Sequence, residues 1–187
     1  MVNSAMKVAI IGAGPRGLWA SEELMERAQE RGVAIDVTVF DAKPLEESSA
    51  PGAFRDAVPE EFILNAPKSI VETKLGPLDP NDELPGDFPS RRHVGEHLDA
   101  SWRALEENLP PRCSLTHRVA NIEMVEPTDD GVVVLGEHFD EVLMVTGHAH
   151  DWPGSLAHAD LGDFKVVAPA YPPSNLDAVD ALSLIHI

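Results

Sequence analysis

An α/β fold built around a parallel sheet is predicted by three features of this 187-residue chain. The apolar run KVAII, residues 7–11, leads straight into GAGPRG at 12–17. An uninterrupted apolar run of this kind suits a parallel strand covered on both faces. From Leu18 to Arg31 the pattern is helical, with Leu24 and Ala28 on one face, and Gly32 stands where a left-handed helix cap belongs. Ile35 to Phe40 is rich in β-branched residues and closes on Asp41. Together these stretches make a strand–turn–helix–strand unit of the size that binds a dinucleotide, the Rossmann-like arrangement.

After Asp41 the regular alternation stops. Prolines recur from Pro44 to Pro111, with glycines at 52, 76 and 86, and residues 42–111 read as an irregular, partly helical insertion. An excursion of that length inside a compact domain usually builds a cofactor or substrate wall. Phe62 to Asn65 is a short strand candidate within it. Arg91 to Leu109 reads as a helix with Val94, Leu98, Trp102 and Leu105 on one face, opened by Ser90 and stopped by Pro110-Pro111.

Four strands, 7–11, 35–40, 114–117 and 141–145, are expected in one parallel sheet, with helix 15–31 between the first two. Residues 118–140 read as a β-meander: strands near 119–125 and 131–136 form a separate antiparallel ribbon turned by Asp129-Asp130-Gly131. The last strand, Phe139 to Val145, ends at Thr146-Gly147-His148. The domain organisation that follows is one dinucleotide-binding domain over 1–150 and a proline-rich connection over 151–187.

Composition narrows the function. Fourteen basic against thirty-two acidic residues give a formal charge of −18, a field that repels nucleic acid and anionic membrane surfaces alike, so neither is expected as a partner. No apolar run is long enough to span a bilayer. Cys113 is the single cysteine, which rules out an internal disulfide or a thiolate cluster and suits a reducing cytoplasm.

Each glycine of the motif has its own physical task. Gly12 permits the turn off the strand, Gly14 leaves room for a pyrophosphate, and Gly17 lets the helix pack closely. Phosphates then meet free N–H groups at the helix N-terminus, aided by its dipole. Pro15 suits the first helical turn, where its missing N–H has no intrahelical partner. Arg16 either adds positive charge near the phosphates or points to solvent. Asp41, 24 residues after Gly17, sits where an acid binds a ribose diol and disfavours a 2′-phosphate, so NADP is not expected at this first site.

The order of segments sharpens the expectation. IIGAGPRG, VFDA, ILNAP at 63–67, FPSRRHVGEHL at 88–98 and MVTGH at 144–148 follow one another. This series resembles a bacterial FAD/NAD(P)-binding family that includes flavin-dependent aspartate N-hydroxylases and urate-hydroxylase-like proteins, over residues 6 to about 180. The resemblance implies that Gly12, Gly14, Gly17 and Asp41 hold the ADP half of FAD, that Val119 offers backbone groups to the adenine, and that Thr146 and Gly147 close over the cofactor. It also implies a monooxygenase in which NADPH or NADH reduces the flavin, and O₂ and a small polar substrate react there. Asn65 either orients flavin or substrate or caps a turn before Pro67. Arg92 and His93 either approach the flavin or are solvated residues of a helix's first turn. No catalytic acid or base is identified.

Rival readings stay open on the residues alone: NAD at the first site in a reductase or dehydrogenase, or a nucleotide-binding module without catalysis. His148-Ala149-His150-Asp151 falls short of a dinuclear HxHxDH pattern, because Trp152 and Pro153 follow, so no metal is expected. Only one glycine motif is present. In the resembling family, VVAPAYPPSNLDAV-like sequence precedes a second, so residues 151–187 are expected to lead to an NAD(P)H-binding domain. The terminal LSLIHI, 182–187, reads as translated adapter sequence or as a natural apolar strand.

Overall fold

The computed structural model describes residues 4–44, 54 and 62–147. Strand β1 (Met6–Ile11), helix α1 (Pro15–Arg31) and strand β2 (Ile35–Asp41) form the expected unit. β1 pairs in parallel with β2, Met6 opposite Ile35 and Ile11 opposite Phe40. Gly14 caps α1 at its start and Pro15 takes its first position. Gly32 ends the helix at φ +63°, its N–H returning to the carbonyls of Ala28 and Gln29, a conformation that favours a residue without Cβ.

The insertion contributes a two-stranded hairpin, β3 (Glu72–Thr73) with β4 (Gly76–Pro77), and helix α2 (Arg91–Glu107). The Ser90 side chain accepts the His93 N–H at the start of α2, as a capping serine should. Phe62–Asn65 is less than a strand. It makes one antiparallel bridge, Ile63 with Ser90, flanked by hydrogen bonds from Leu64 N to Pro89 O and from Arg91 N to Phe62 O. That bridge ties the insertion to the first turn of α2.

Strand β5 (Cys113–Val119) returns the chain to the sheet beside β2, in register from Ile35–Cys113 to Asp41–Val119. A meander follows: β6 (Val125–Thr128), β7 (Gly131–Val134) and β8 (Glu137–Phe139). Strand β9 (Glu141–Met144) then pairs in parallel with β1, giving a four-stranded sheet in the order β5-β2-β1-β9. All four strands expected in one parallel sheet are in it.

Strand alternation decides what covers each face. Val8, Ile10, Val37 and Val39 point to one side, where Leu18, Met25 and Ala28 of α1 and Val94, Leu98 and Trp102 of α2 bury them. Ala9 and Phe40 point to the other, where the meander supplies Val132, Val134 and Phe139. Phe40 and Phe139 meet edge to face at 5.9 Å, and the Arg118 guanidinium lies 5.0 Å from the Phe40 ring centre while pairing with Glu137. The sheet thus lies between two helices and an antiparallel ribbon.

Two strand assignments differ from expectation. Val119 belongs to β5, and residues 120–124 form no strand, so the ribbon takes up the chain only at Val125, the first residue of β6. Ala120 and Ile122 turn their apolar side chains into the core beneath the meander. Period-two hydrophobicity here records packing against a cluster rather than pairing with a neighbour. Likewise 139–145 is not one strand: Phe139 ends β8, and Asp140 turns the chain. Its carboxylate accepts the Lys7 N–H at 2.6 Å and its own N–H donates to Lys7 O at 2.9 Å. The extra hairpin needs a two-residue turn, which Leu135 and Gly136 provide with φ of 52° and 78°.

Candidate functional site

The turn between β1 and α1 is crowded from three directions. Gly12 adopts φ +113°, and a Cβ there would stand 2.5 Å from the Val145 carbonyl oxygen and 3.3 Å from Thr146 Cα. The chain leaving β9 therefore passes over the turn at a distance only glycine allows. A Cβ on Gly17 would lie 2.1 Å from the Gly12 carbonyl oxygen. What glycine admits there is the turn itself; the nearest sheet side chain, Ile10, stands back at 3.8 Å. Backbone bonds fix the frame: Gly12 N donates to Phe40 O at 2.8 Å and Val145 N to Ile11 O at 2.9 Å.

Asp41 ends β2 directly beside this turn. One carboxylate oxygen accepts the Ala13 N–H at 2.8 Å and the other the Lys43 N–H at 3.0 Å. Val119 faces Asp41 across the β2–β5 pair, with an exposed side chain, and Ala120 N donates to Asp41 O. Thr146 and Gly147, both exposed, complete the rim. Arg16 is exposed in the first turn of α1. The structure thus gathers Gly12, Gly14, Pro15, Arg16, Gly17, Asp41, Val119, Thr146 and Gly147 at the C-terminal ends of the parallel strands and the N-terminus of α1. That edge is where open α/β sheets bind their ligands.

Asn65 is exposed in the insertion, beside the bridge from Ile63 to Ser90. His93 holds its ring Nδ1 3.0 Å from Ser90 Oγ and, with His97 and Glu96, lines an open depression of about 390 Å³ that Asp79, Glu83 and Leu84 also border. Cys113 is a partly buried free thiol at the start of β5, packed against the helical core. His148, His150 and Asp151, the proposed connection 151–187 and the LSLIHI tail lie outside the described residues.

Several structural residues were not anticipated. Trp102 Nε1 donates to the Ala13 carbonyl at 3.2 Å, reaching from α2 into the glycine turn. A buried indole needs an acceptor, so its place on the buried face of α2 was the available signal. Lys68 Nζ bonds the Asp79 carboxylate at 2.8 Å and the Leu84 carbonyl at 2.7 Å, while Asp79 also accepts the N–H groups of Glu83 and Leu84. The ammonium holds the Asp79 carboxyl below its ordinary range, and Asp79 and Asp82 hold Lys68 above its own. Glu22, buried on α1, accepts the Lys74 N–H at 3.0 Å, and desolvation pushes its pKa up against the pull of Lys74. Thr73 Oγ1 lies 2.7 Å from Ser101 Oγ and 3.2 Å from His97 Nε2, and burial lowers the His97 pKa. Trp102 alone of these side chains reaches the turn; the others secure the insertion that flanks it.

Among the described residues, no helix is long and apolar enough to cross a membrane. No curated protein matches the chain. A family model described as FAD-NAD(P)-binding matches residues 9–149, a span that takes in the glycine turn, Asp41, the insertion, the meander and the return strand β9 with Thr146 and Gly147. The chain belongs to this FAD-NAD(P)-binding family.

Proposed function

We propose that this chain is the FAD-binding part of an NAD(P)H-dependent flavoprotein monooxygenase, acting on a small polar substrate such as an amino acid or a purine-like ring. The observation that carries the dinucleotide reading is the crowding at Gly12 and Gly17, where backbone from β9 and from the turn itself occupies the space a Cβ would need. A turn kept free of side chains at the head of a helix fits a pyrophosphate, which requires close approach to backbone N–H groups.

In this reading Gly14, Pro15, Arg16 and Gly17 surround the pyrophosphate, Asp41 holds the ribose, Val119 backbone groups meet the adenine, and Thr146 and Gly147 border the cofactor. Support for FAD over a nicotinamide at this site comes from the chain's course. A plain nicotinamide domain continues with strand–helix repeats, whereas here an insertion and a meander intervene before β9 returns beside β1. Flavin, when bound, supplies the redox chemistry with a nicotinamide reductant and O₂, and the protein supplies orientation and exclusion of water. Asn65 belongs to the insertion wall and is a weaker candidate for contact with flavin or substrate. A cytoplasmic setting accords with the lone free thiol of Cys113.

The test is direct. Protein purified with FAD retains a chromophore absorbing at about 450 nm. Replacing Gly14 by Leu should abolish retention, because a side chain would occupy the pyrophosphate's place. Asp41→Ala should weaken FAD by about 1.5–3 kcal/mol, the worth of a hydrogen bond to a charged group. Stoichiometric flavin in the Gly14 variant would show that the flavin lies elsewhere, and tight NAD binding without flavin would favour a reductase.

A further inference from the structure

The two peptide groups flanking Ala13 are each held by a side chain from a different part of the molecule. The Gly12–Ala13 amide N–H donates to Asp41 at the end of β2. The Ala13–Gly14 carbonyl accepts from the indole of Trp102 on α2. Ala13 and Trp102 are both only 1% exposed, so this carbonyl lies where water cannot replace the indole. A trans peptide is planar, with its C=O and N–H pointing in opposite directions. Fixing the Ala13 carbonyl inward against Trp102 therefore turns the Gly14 N–H outward, away from the helical core. Among the described residues that N–H finds no acceptor.

Glycine is needed at position 14 for access, but glycine also lets a peptide plane rotate cheaply. The indole removes that freedom, since a rotated carbonyl would lose its partner in a buried place. The indole is itself fixed. His117 on β5 packs against it edge-on, ring centres 4.7 Å apart and planes at 84°, and His117 Nδ1 lies 3.1 Å from Glu106 Oε1, one turn further along α2.

We propose that Trp102 is a positioning residue of the dinucleotide site: its N–H locks the Ala13–Gly14 peptide so that the Gly14 N–H is presented to the pyrophosphate. The inference rests on the reading of the glycine turn as that site. It assigns the insertion a part in cofactor binding without contact with the cofactor.

The test compares three variants of the full 187-residue chain. Trp102→Phe and replacement of Trp102 by β-(3-benzothienyl)alanine both delete the N–H, the second with the ring shape kept, so that it preserves the fold even where phenylalanine does not. Leu98→Val, one turn away in the same buried face, perturbs packing and leaves the indole bond intact. Titrated with ADP and with FAD, the two indole variants should bind about five- to tenfold more weakly than the unaltered chain, the worth of one hydrogen bond. Leu98→Val should bind as the unaltered chain does at whatever cost in melting temperature. In ligand-free ¹⁵N spectra the Gly14 amide should shift or broaden in both indole variants and stay in place in Leu98→Val. Unchanged affinity in the benzothienyl variant, or an equal loss in Leu98→Val, would overturn the proposal. If the unaltered chain binds neither ADP nor FAD, the dinucleotide reading fails, and an unmoved Gly14 amide in the indole variants separately refutes the lock.

Discussion

The glycine turn and the insertion lie side by side and are built on opposite principles. At Gly12 and Gly17 the turn is confined by backbone, the carbonyl oxygens of Val145 and Gly12, and the side chains of Asp41 and Trp102 only orient the two peptides around Ala13. The stretch from Phe62 to Ser90 has almost no regular structure, and side chains hold it: Lys68 on Asp79, Glu22 on the Lys74 N–H, Thr73 on Ser101. Backbone confinement tolerates no added atom but is indifferent to neighbouring charge. Side-chain confinement tolerates added atoms and fails when a charge is removed.

The sharpest way to break this contrast is Gly17→Ala. With 2.1 Å to a backbone oxygen, the new methyl forces the turn or the helix to move. The expected loss is about 3 kcal/mol or more, the upper end of overpacking, together with loss of dinucleotide binding. Chemical denaturation and flavin titration read both. A fold of unchanged stability would show that the turn is held less tightly than its geometry implies.

Asp79→Ala comes next and should act locally. Lys68 loses its main anion, and the N–H groups of Glu83 and Leu84 lose their acceptor. Hydrogen exchange should accelerate over residues 68–87 while the amides of β1 and β2 remain protected. The pH dependence has a definite sign. The folded pKa of Asp79 is depressed, so its contribution is complete above the ordinary Asp range, about 3.9, and is lost as pH falls through the lower folded value. Loosening of the insertion that begins only below that range, and is absent in Asp79→Ala, is the expected signature.

Gly86→Ala should be milder than Gly17→Ala. Its Cβ would meet nothing within 4 Å, so the cost is that of a left-handed φ of +70°, about 1 kcal/mol. A loss as large as that of Gly17→Ala would erase the distinction between the two regions.

Smallest, and opposite in sign, is Glu22→Gln. Burial raises the folded pKa of Glu22, so native protein gains stability as pH falls from above that value towards the unfolded one, and the charged form is a burden at neutral pH. Glutamine keeps an oxygen for the Lys74 N–H without the charge. Stability at pH 7 should be unchanged or higher by less than about 1 kcal/mol, and the acid-side gain should vanish in matched thermal scans.

The same contrast explains which parts of the molecule were legible in its sequence. The βαβ unit was readable to within a residue or two at its ends, because Pro15, Gly32 and the β-branched run 35–40 each enforce one local conformation. The helix α2 was readable from Ser90 and its apolar face. The place of Asp41 at the end of a parallel strand beside the turn followed from strand order, whereas Val119, expected in the ribbon, and Thr146 were assigned to the site only through the family resemblance. What escaped were contacts between segments distant in sequence. Nothing local in Glu22 announces Lys74, 52 residues away, and nothing in Trp102 announces Ala13, 89 residues back. The misread strand at 119–125 is a related failure: alternation reports which side of a segment is buried, not whether another strand lies beside it.

Strand order also sets a timetable for the ribosome. β1 is flanked by β2, made within thirty residues of it, and by β9, which begins a full hundred residues after β2 ends. At roughly 5–20 residues per second, synthesis leaves one edge of β1 without its final neighbour for about 5–20 s. The passage of Val145 and Thr146 across Gly12 waits for the same event. During that interval the insertion and its helix can fold onto α1 and the other face of the sheet stays bare until Val132, Val134 and Phe139 arrive. The nascent chain therefore carries an unfinished glycine turn until β9 emerges, and the strand edge at which Asp41, Val119 and Thr146 gather is completed only then.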